Sequence, residues 1–150
     1  MTKILFVCHG NICRSPMAEF IMRDIVKKQG IEQEFEIASC ATSTEEIGNG
    51  VYPPAKRVLS QHGISCMGKT ARQMTASDYE KYDYIVAMDR YNLRNMARFV
   101  GDDPMGKVSL LMSHTNRPGD VADPWYTGDF DTTWDDIFEG CTALLKELVK

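Results

Sequence analysis

The sequence predicts an α/β fold: a four-stranded parallel sheet flanked by helices on both faces, in three layers. Two observations carry that expectation. Short apolar runs of strand length alternate with longer stretches of helical periodicity, giving the order βαβαβαβα. The first run, Ile4–Val7, is continuously apolar and ends in a glycine-containing loop, as a strand buried on both faces does. The length fits as well. With 150 residues, 43% hydrophobic and 25% charged, the chain suits one globular domain over residues 1–150.

Each element has its own signal. After the first strand, Pro16 to Lys28 reads as a helix with Ala18, Ile21, Met22 and Ile25 on one face and Glu19, Arg23, Lys27 and Lys28 opposite. Ser15 suits the N-cap and Pro16 the first helical position. Phe35–Ser39 is the second strand, and 40–54 is a loop marked by Thr42-Ser43-Thr44 and Gly48-Asn49-Gly50. Ala55–Gln61 is helical and stops near Gly63. Thr75-Ala-Ser-Asp78 opens a capped helix. Tyr84–Met88 is the third strand; Asp89 caps a helix carrying Leu93, Met96, Ala97 and Val100 that ends at Gly101. Val108–Met112 is the fourth strand. After a long loop, Trp134, Ile137, Phe138, Cys141, Leu144, Leu145 and Leu148 recur at helical spacing. Acids lie near the start of that helix and Lys146 and Lys150 near its end, as the helix dipole favours.

Composition narrows function. The net charge of −4 disfavours general nucleic-acid binding. The charge is unevenly spread: residues 120 to 139 hold seven acids and no Lys or Arg, leaving +3 over the rest. No apolar run approaches the roughly 18 residues of a membrane span, so no membrane association is expected. Met1-Thr2-Lys3 leads straight into a short strand-like run, unlike a signal peptide. Five cysteines, an odd number at irregular spacing, point to a reducing cytoplasm rather than a disulfide framework.

The loop after the first strand carries the chemistry. It reads Cys8-His9-Gly10-Asn11-Ile12-Cys13-Arg14-Ser15-Pro16. Ligands bind at the carboxyl ends of strands in such folds, and this loop ends at a helix N-terminus that favours anions. Gly10 and Asn11 tolerate positive φ, which lets successive N–H groups point inward as a nest. Five residues between Cys8 and Arg14 can circle one tetrahedral oxyanion, which Arg14 then holds bidentately. A cradle of this sign stabilises the thiolate of Cys8, to which Ser15 can donate its hydroxyl. A lone Cys after a strand is usually a small core residue, and a lone Arg at a helix start is usually solvated. Their combination with Gly-Asn and Arg-Ser-Pro favours a phosphate-cleaving nucleophile.

These residues resemble the active-site loop of the low-molecular-weight protein tyrosine phosphatases, in their Cys-x5-Arg-Ser pattern with Gly10-Asn11-Ile12-Cys13 and Pro16. Asp123-Pro124-Trp125-Tyr126 resembles the family's acid loop, and Ala71-Arg72-Gln73 and Met88-Asp89 are similar to other segments. The resemblance implies that Cys8 is the nucleophile, that Arg14 and the N–H groups of His9, Gly10, Asn11, Ile12, Cys13 and Ser15's loop bind the phosphoryl group, and that Asp123 is the general acid and base. Asn11 holds the loop's shape, and Trp125 and Tyr126 wall the cleft. Read alone, Asp123 also fits a simple Asp-Pro turn, and the two aromatics fit ordinary packing. Cys13 either packs under the loop or is a redox partner of Cys8, as the resemblance implies. The expected substrate is a phosphotyrosine-containing protein, with inorganic phosphate or another oxyanion as product or inhibitor. No metal or cofactor is expected, since Cys8, His9 and Cys13 lack zinc spacing. A monomer or weak dimer is expected.

Three positions depart from the usual family pattern: Glu45 where an aromatic wall residue is common, Lys69 where a His supports the loop, and Trp125 where Tyr is frequent. Ile12 occupies a position at which phosphoarginine phosphatases of the family carry Thr, and an apolar Ile suits an aromatic ring better. A thiol-coupled arsenate reductase needs a further pair of reactive cysteines, but Cys40, Cys66 and Cys141 are single. A cysteine phosphocarrier of sugar transport needs neither Arg14 nor Asp123.

Overall fold

The computed structural model describes residues 1–149, so Lys150 and its proposed interaction with the last helix lie outside the described residues. The elements are β1 (Thr2–Cys8), α1 (Arg14–Lys28), β2 (Phe35–Ala41), α2 (Pro53–Gln61), α3 (Ala76–Lys81), β3 (Tyr84–Ala87), α4 (Arg90–Val100), β4 (Val108–Leu110), α5 (Pro124–Thr127) and α6 (Phe130–Leu148). The strands form one sheet in the order β2-β1-β3-β4, with every pairing parallel. No helix among the described residues is long and apolar enough to cross a membrane.

Alternation along β1 divides the core. Ile4, Phe6 and Cys8 join the cluster built with α1, α2 and α6, whereas Leu5 and Val7 join Tyr79, Tyr82, Met96 and Val100 on the other side. Both faces are covered, so β1 reads as an unbroken apolar run. Because β1 lies between β2 and β3, the loop leaving its carboxyl end is surrounded by the ends of both neighbours.

Several details differ from the sequence expectation; β2 runs to Ala41, two residues into the expected loop, and β3 stops at Ala87, one residue before Met88. The first helix begins at Arg14, two residues early, with Cys13 at the N-cap position and no capping side chain. Ser15 lies inside the helix because its hydroxyl is engaged by Cys8 and Asn11. The fourth strand ends at Leu110, and Leu111–His114 forms a 3-10 turn instead. That turn sends the buried Leu111 and Met112 into the core, Leu111 against Gly140 of α6. Pro53 and Pro54 open α2 rather than closing the preceding loop, as their missing N–H groups allow. Phe138 shares the helical spacing of its neighbours but is half exposed, stacked on Trp134 at the edge of the core.

Candidate active site

Cys8 ends β1 and is 4% exposed, at the floor of a cleft of about 200 Å³. Its sulfur accepts the backbone N–H of Asn11 at 3.3 Å and lies 3.0 Å from Ser15 Oγ. Asn11 has a φ of 59°, the left-handed turn that aims this N–H back at the sulfur. Gly10 has no positive φ; a Cβ there would lie 3.4 Å from Glu46 Cγ, so its smallness serves close packing at the rim.

Behind the loop, a chain of hydrogen bonds has a fixed direction. Glu19 is 3% exposed, and its carboxylate accepts the Ser39 hydroxyl at 2.6 Å. Ser39 Oγ therefore accepts from Asn11 Nδ2 at 3.0 Å, while the other hydrogen of that amide goes to Ser15 Oγ at 2.7 Å. This leaves the Ser15 proton available for the Cys8 sulfur. Glu19 is held by Arg23 at 2.7 Å and by Lys69 at 3.5 Å, and Lys69 also donates to the Ser39 carbonyl. Lys69 thus enters the supporting network; burial lowers its pKa, and the charge of Glu19 opposes that shift. Asn11 Oδ1 accepts from Arg72 N, tying the loop to a segment anchored by the Arg72–Asp78 ion pair.

Arg14 is 2% exposed. Nη1 donates to Asp89 Oδ2 at 2.7 Å and to the Val121 carbonyl at 2.9 Å, while Nη2 lies 3.4 Å from Asp123 Oδ2. Burial works against its charge, but the neighbouring Cys8 and the Asp89 hydrogen bond outweigh burial and raise its pKa. Asp123 caps α5, with Oδ1 accepting from Trp125 N at 3.0 Å and Oδ2 turned toward Arg14. The Asp-Pro turn and a cleft-facing carboxylate are therefore one arrangement, not alternatives.

Cys8, His9, Gly10, Ile12, Cys13, Arg14, Asp123, Trp125 and Tyr126 converge around the cleft, whereas Asn11 and Ser15 lie buried behind it. Trp125 packs on Tyr52 at 4.8 Å between ring centroids, and Tyr126 is largely exposed. At the mouth, His9 Nε2 lies 2.9 Å from Glu45 Oε2, so that wall is a hydrogen-bonded His–Glu pair rather than an aromatic residue at 45. Burial pushes the Cys13 thiol up to about 12, with the nearby Cys8 and Asp123 adding to it.

The family model for low molecular weight phosphotyrosine protein phosphatase matches residues 3–150. The chain belongs to this family. The low molecular weight protein-tyrosine-phosphatase YfkJ of Bacillus subtilis is 38% identical over 152 residues, covering 100% of this chain and 97% of the relative. A human low molecular weight phosphotyrosine protein phosphatase is 38% identical over 150 residues, covering 97% and 94%. The crystal structure of Bacillus subtilis YfkJ superposes with a TM-score of 0.95 at 37% identity, covering 99% of this chain and 94% of that one.

In this phosphatase family member, sequence reasoning missed the contributions of Asp89, Glu19 and Tyr52. Asp89 reads as a helix cap, which it is: Oδ1 accepts from Asn92 N while Oδ2 holds Arg14. Its place just after a parallel strand, where ligands bind, was the available signal. Glu19 reads as a solvent-facing helix residue. Only the fold reveals that Ser39 and Lys69 enclose it.

Proposed function

We propose that the chain hydrolyses phosphotyrosine in proteins through a phosphocysteine intermediate. The observation that carries this reading is the placement of Cys8, Arg14 and Asp123 around one small cleft, in a member of a phosphotyrosine phosphatase family. Cys8 attacks phosphorus in line with the departing tyrosine oxygen. The Cys8 S–P bond forms as the P–O bond breaks, and Asp123 protonates the leaving oxygen. Arg14 and the N–H groups of residues 9 to 14 bind the three equatorial oxygens where charge is spread in the transition state. Asp123, now a carboxylate, takes a proton from water, which attacks the phosphocysteine and releases inorganic phosphate.

The Glu19-directed hydrogen-bond chain supports the thiolate: Ser15 donates to Cys8 when it serves as nucleophile and again when it serves as leaving group. Ile12 and Trp125 flank the place of the aromatic ring, which favours phosphotyrosine over phosphoarginine. A thiol nucleophile and five unpaired cysteines fit a cytoplasmic setting.

The test is hydrolysis of p-nitrophenyl phosphate in EDTA by the parent, Cys8→Ser and Asp123→Ala, together with paired phosphotyrosine and phosphoarginine peptides. Expected are turnover by the parent, none by Cys8→Ser, and a loss of about 10²–10⁴-fold in Asp123→Ala. Parent-like activity in Cys8→Ser contradicts the reading, and preference for phosphoarginine peptides contradicts the substrate.

A further inference from the structure

Beside the phosphoryl cleft lies a second cavity of about 510 Å³, which shares His9, Arg14, Asp123 and Tyr126 with the cleft as a common wall. The proposed reaction uses only the wall. The rest is built by Tyr91, Asn92 and Asn95 of α4 and by 120–122 of the loop before the acid residue. We propose that this cavity is a subsite for a Lys or Arg side chain one or two positions from the phosphotyrosine in the protein substrate. The proposal rests on the phosphotyrosine phosphatase reading above.

The chemistry of the lining selects that side chain. Three carboxylates, Asp89, Asp120 and Asp123, face one guanidinium, that of Arg14. Asp89 is committed to Arg14 and Asp123 is turned toward it, so Asp120 is the carboxylate of the three that Arg14 leaves to meet a substrate cation. Its partner is Arg90: the backbone N–H donates to Oδ1 at 3.2 Å, and Nε lies 3.6 Å from Oδ2 on a side chain that is 81% exposed, so Oδ2 is the oxygen a substrate cation can take. An open pair of that kind contributes little and exchanges readily. Tyr91 and Tyr126 stand exposed at the cavity, offering ring faces to the aliphatic stem and to the charge. One face of Tyr91 already carries a cation, the Arg94 guanidinium at 5.5 Å from its centroid, which leaves the other for the substrate.

Distance fits as well. An extended peptide advances about 3.3 Å per residue, so a neighbour one or two positions away is offset by roughly 3–7 Å. A Lys or Arg side chain then crosses the shared wall of His9 and Asp123 while the phosphoryl group sits on Cys8. A Glu at the same position meets the lining's excess of carboxylate and is rejected.

The experiment measures kcat/KM for a phosphotyrosine peptide series carrying Lys, Ala or Glu at each of the two positions on either side. At one position at least, the parent should prefer Lys over Ala by roughly 5- to 10-fold, and Ala over Glu. Asp120→Asn should reduce the Lys preference to within about twofold while leaving p-nitrophenyl phosphate turnover at the parent's level. Tyr91→Ser, at an exposed position where folding is not at stake, should weaken the preference in the same direction. Glu45→Gln should retain it. A flat series in the parent overturns the proposal. So does a preference that survives both Asp120→Asn and Tyr91→Ser, or one abolished by Glu45→Gln alone. Absence of p-nitrophenyl phosphate turnover in the parent is a different result: it refutes the phosphatase reading itself.

Discussion

Replacing Asp89 by Asn tests how the buried Arg14 is held. Arg14 is 2% exposed, and its shortest contact is the 2.7 Å bond to Asp89 Oδ2. Asp89 Oδ1 meanwhile accepts the N–H of Asn92. An Asn has one acceptor oxygen for these two jobs. If the oxygen stays on Asn92, an NH₂ faces the guanidinium; if it turns to Arg14, the NH₂ faces Asn92 N. Either orientation sets two donors against each other and removes a negative charge from a buried cation. Losing one partner of a buried pair costs about 3–5 kcal/mol. The Val121 carbonyl and Asp123 remain on Arg14, so we expect the lower end, about 3 kcal/mol. For a chain of this size that lowers Tm by about 6–12 °C. An arginine shifted by about 1 Å also lowers kcat/KM by about 10²-fold. Thermal unfolding and p-nitrophenyl phosphate kinetics on the same preparation read both. A Tm within about 2 °C of the parent, with kcat/KM within about twofold, refutes the reasoning.

Three further outcomes are expected. After peroxide, the Cys8 sulfenic acid condenses with the Cys13 thiol to a disulfide and water, so the parent recovers activity with added thiol; Cys13→Ser should recover far less, and equal recovery contradicts the pairing. Burial would raise the pKa of Asp78, but its bonds to Arg72 and Thr75 lower it overall, so its contribution is present above about pH 4 and fades as pH falls through the folded value. Asp78→Asn should cost roughly 2 kcal/mol at neutral pH and flatten the acid limb of the stability curve measured by urea unfolding. Gly140→Ala places a Cβ 2.5 Å from the buried Leu111 Cγ and should destabilise by about 1–3 kcal/mol in the same assay, despite the helical preference of Ala.

The order of strands and helices is legible because short apolar stretches, continuous in β1, alternate with segments that have one apolar helical face. β1 and the nucleophile loop are the extreme case, since Cys8, Asn11 and Arg14 fall within seven consecutive residues. Element ends are less legible. Val108–Met112 is apolar but for Ser109, yet only three residues pair as a strand, because Leu111 and Met112 fill the core beside α6. Ser15 has the identity of a cap, but its hydroxyl lies against the Cys8 sulfur and accepts from the Asn11 side chain four residues before it. Groups that meet across the fold are the least legible. Glu19, Ser39 and Lys69 come from α1, β2 and a loop; the family resemblance marks the position of Lys69, but Glu19 and Ser39 have no local signal for the roles they take. Asp89 has a local signal, helix capping, which hides its second use.

In the proposed mechanism the phosphoryl group passes covalently through Cys8. Rapid quenching of the slow Asp123→Ala variant during turnover of p-nitrophenyl phosphate, followed by mass spectrometry of its peptides, tests this most directly. The predicted result is one added phosphoryl group on the peptide containing Cys8, absent from Cys8→Ser. A phosphoryl group on another residue, or turnover by the parent with Cys8 unmodified throughout, contradicts it.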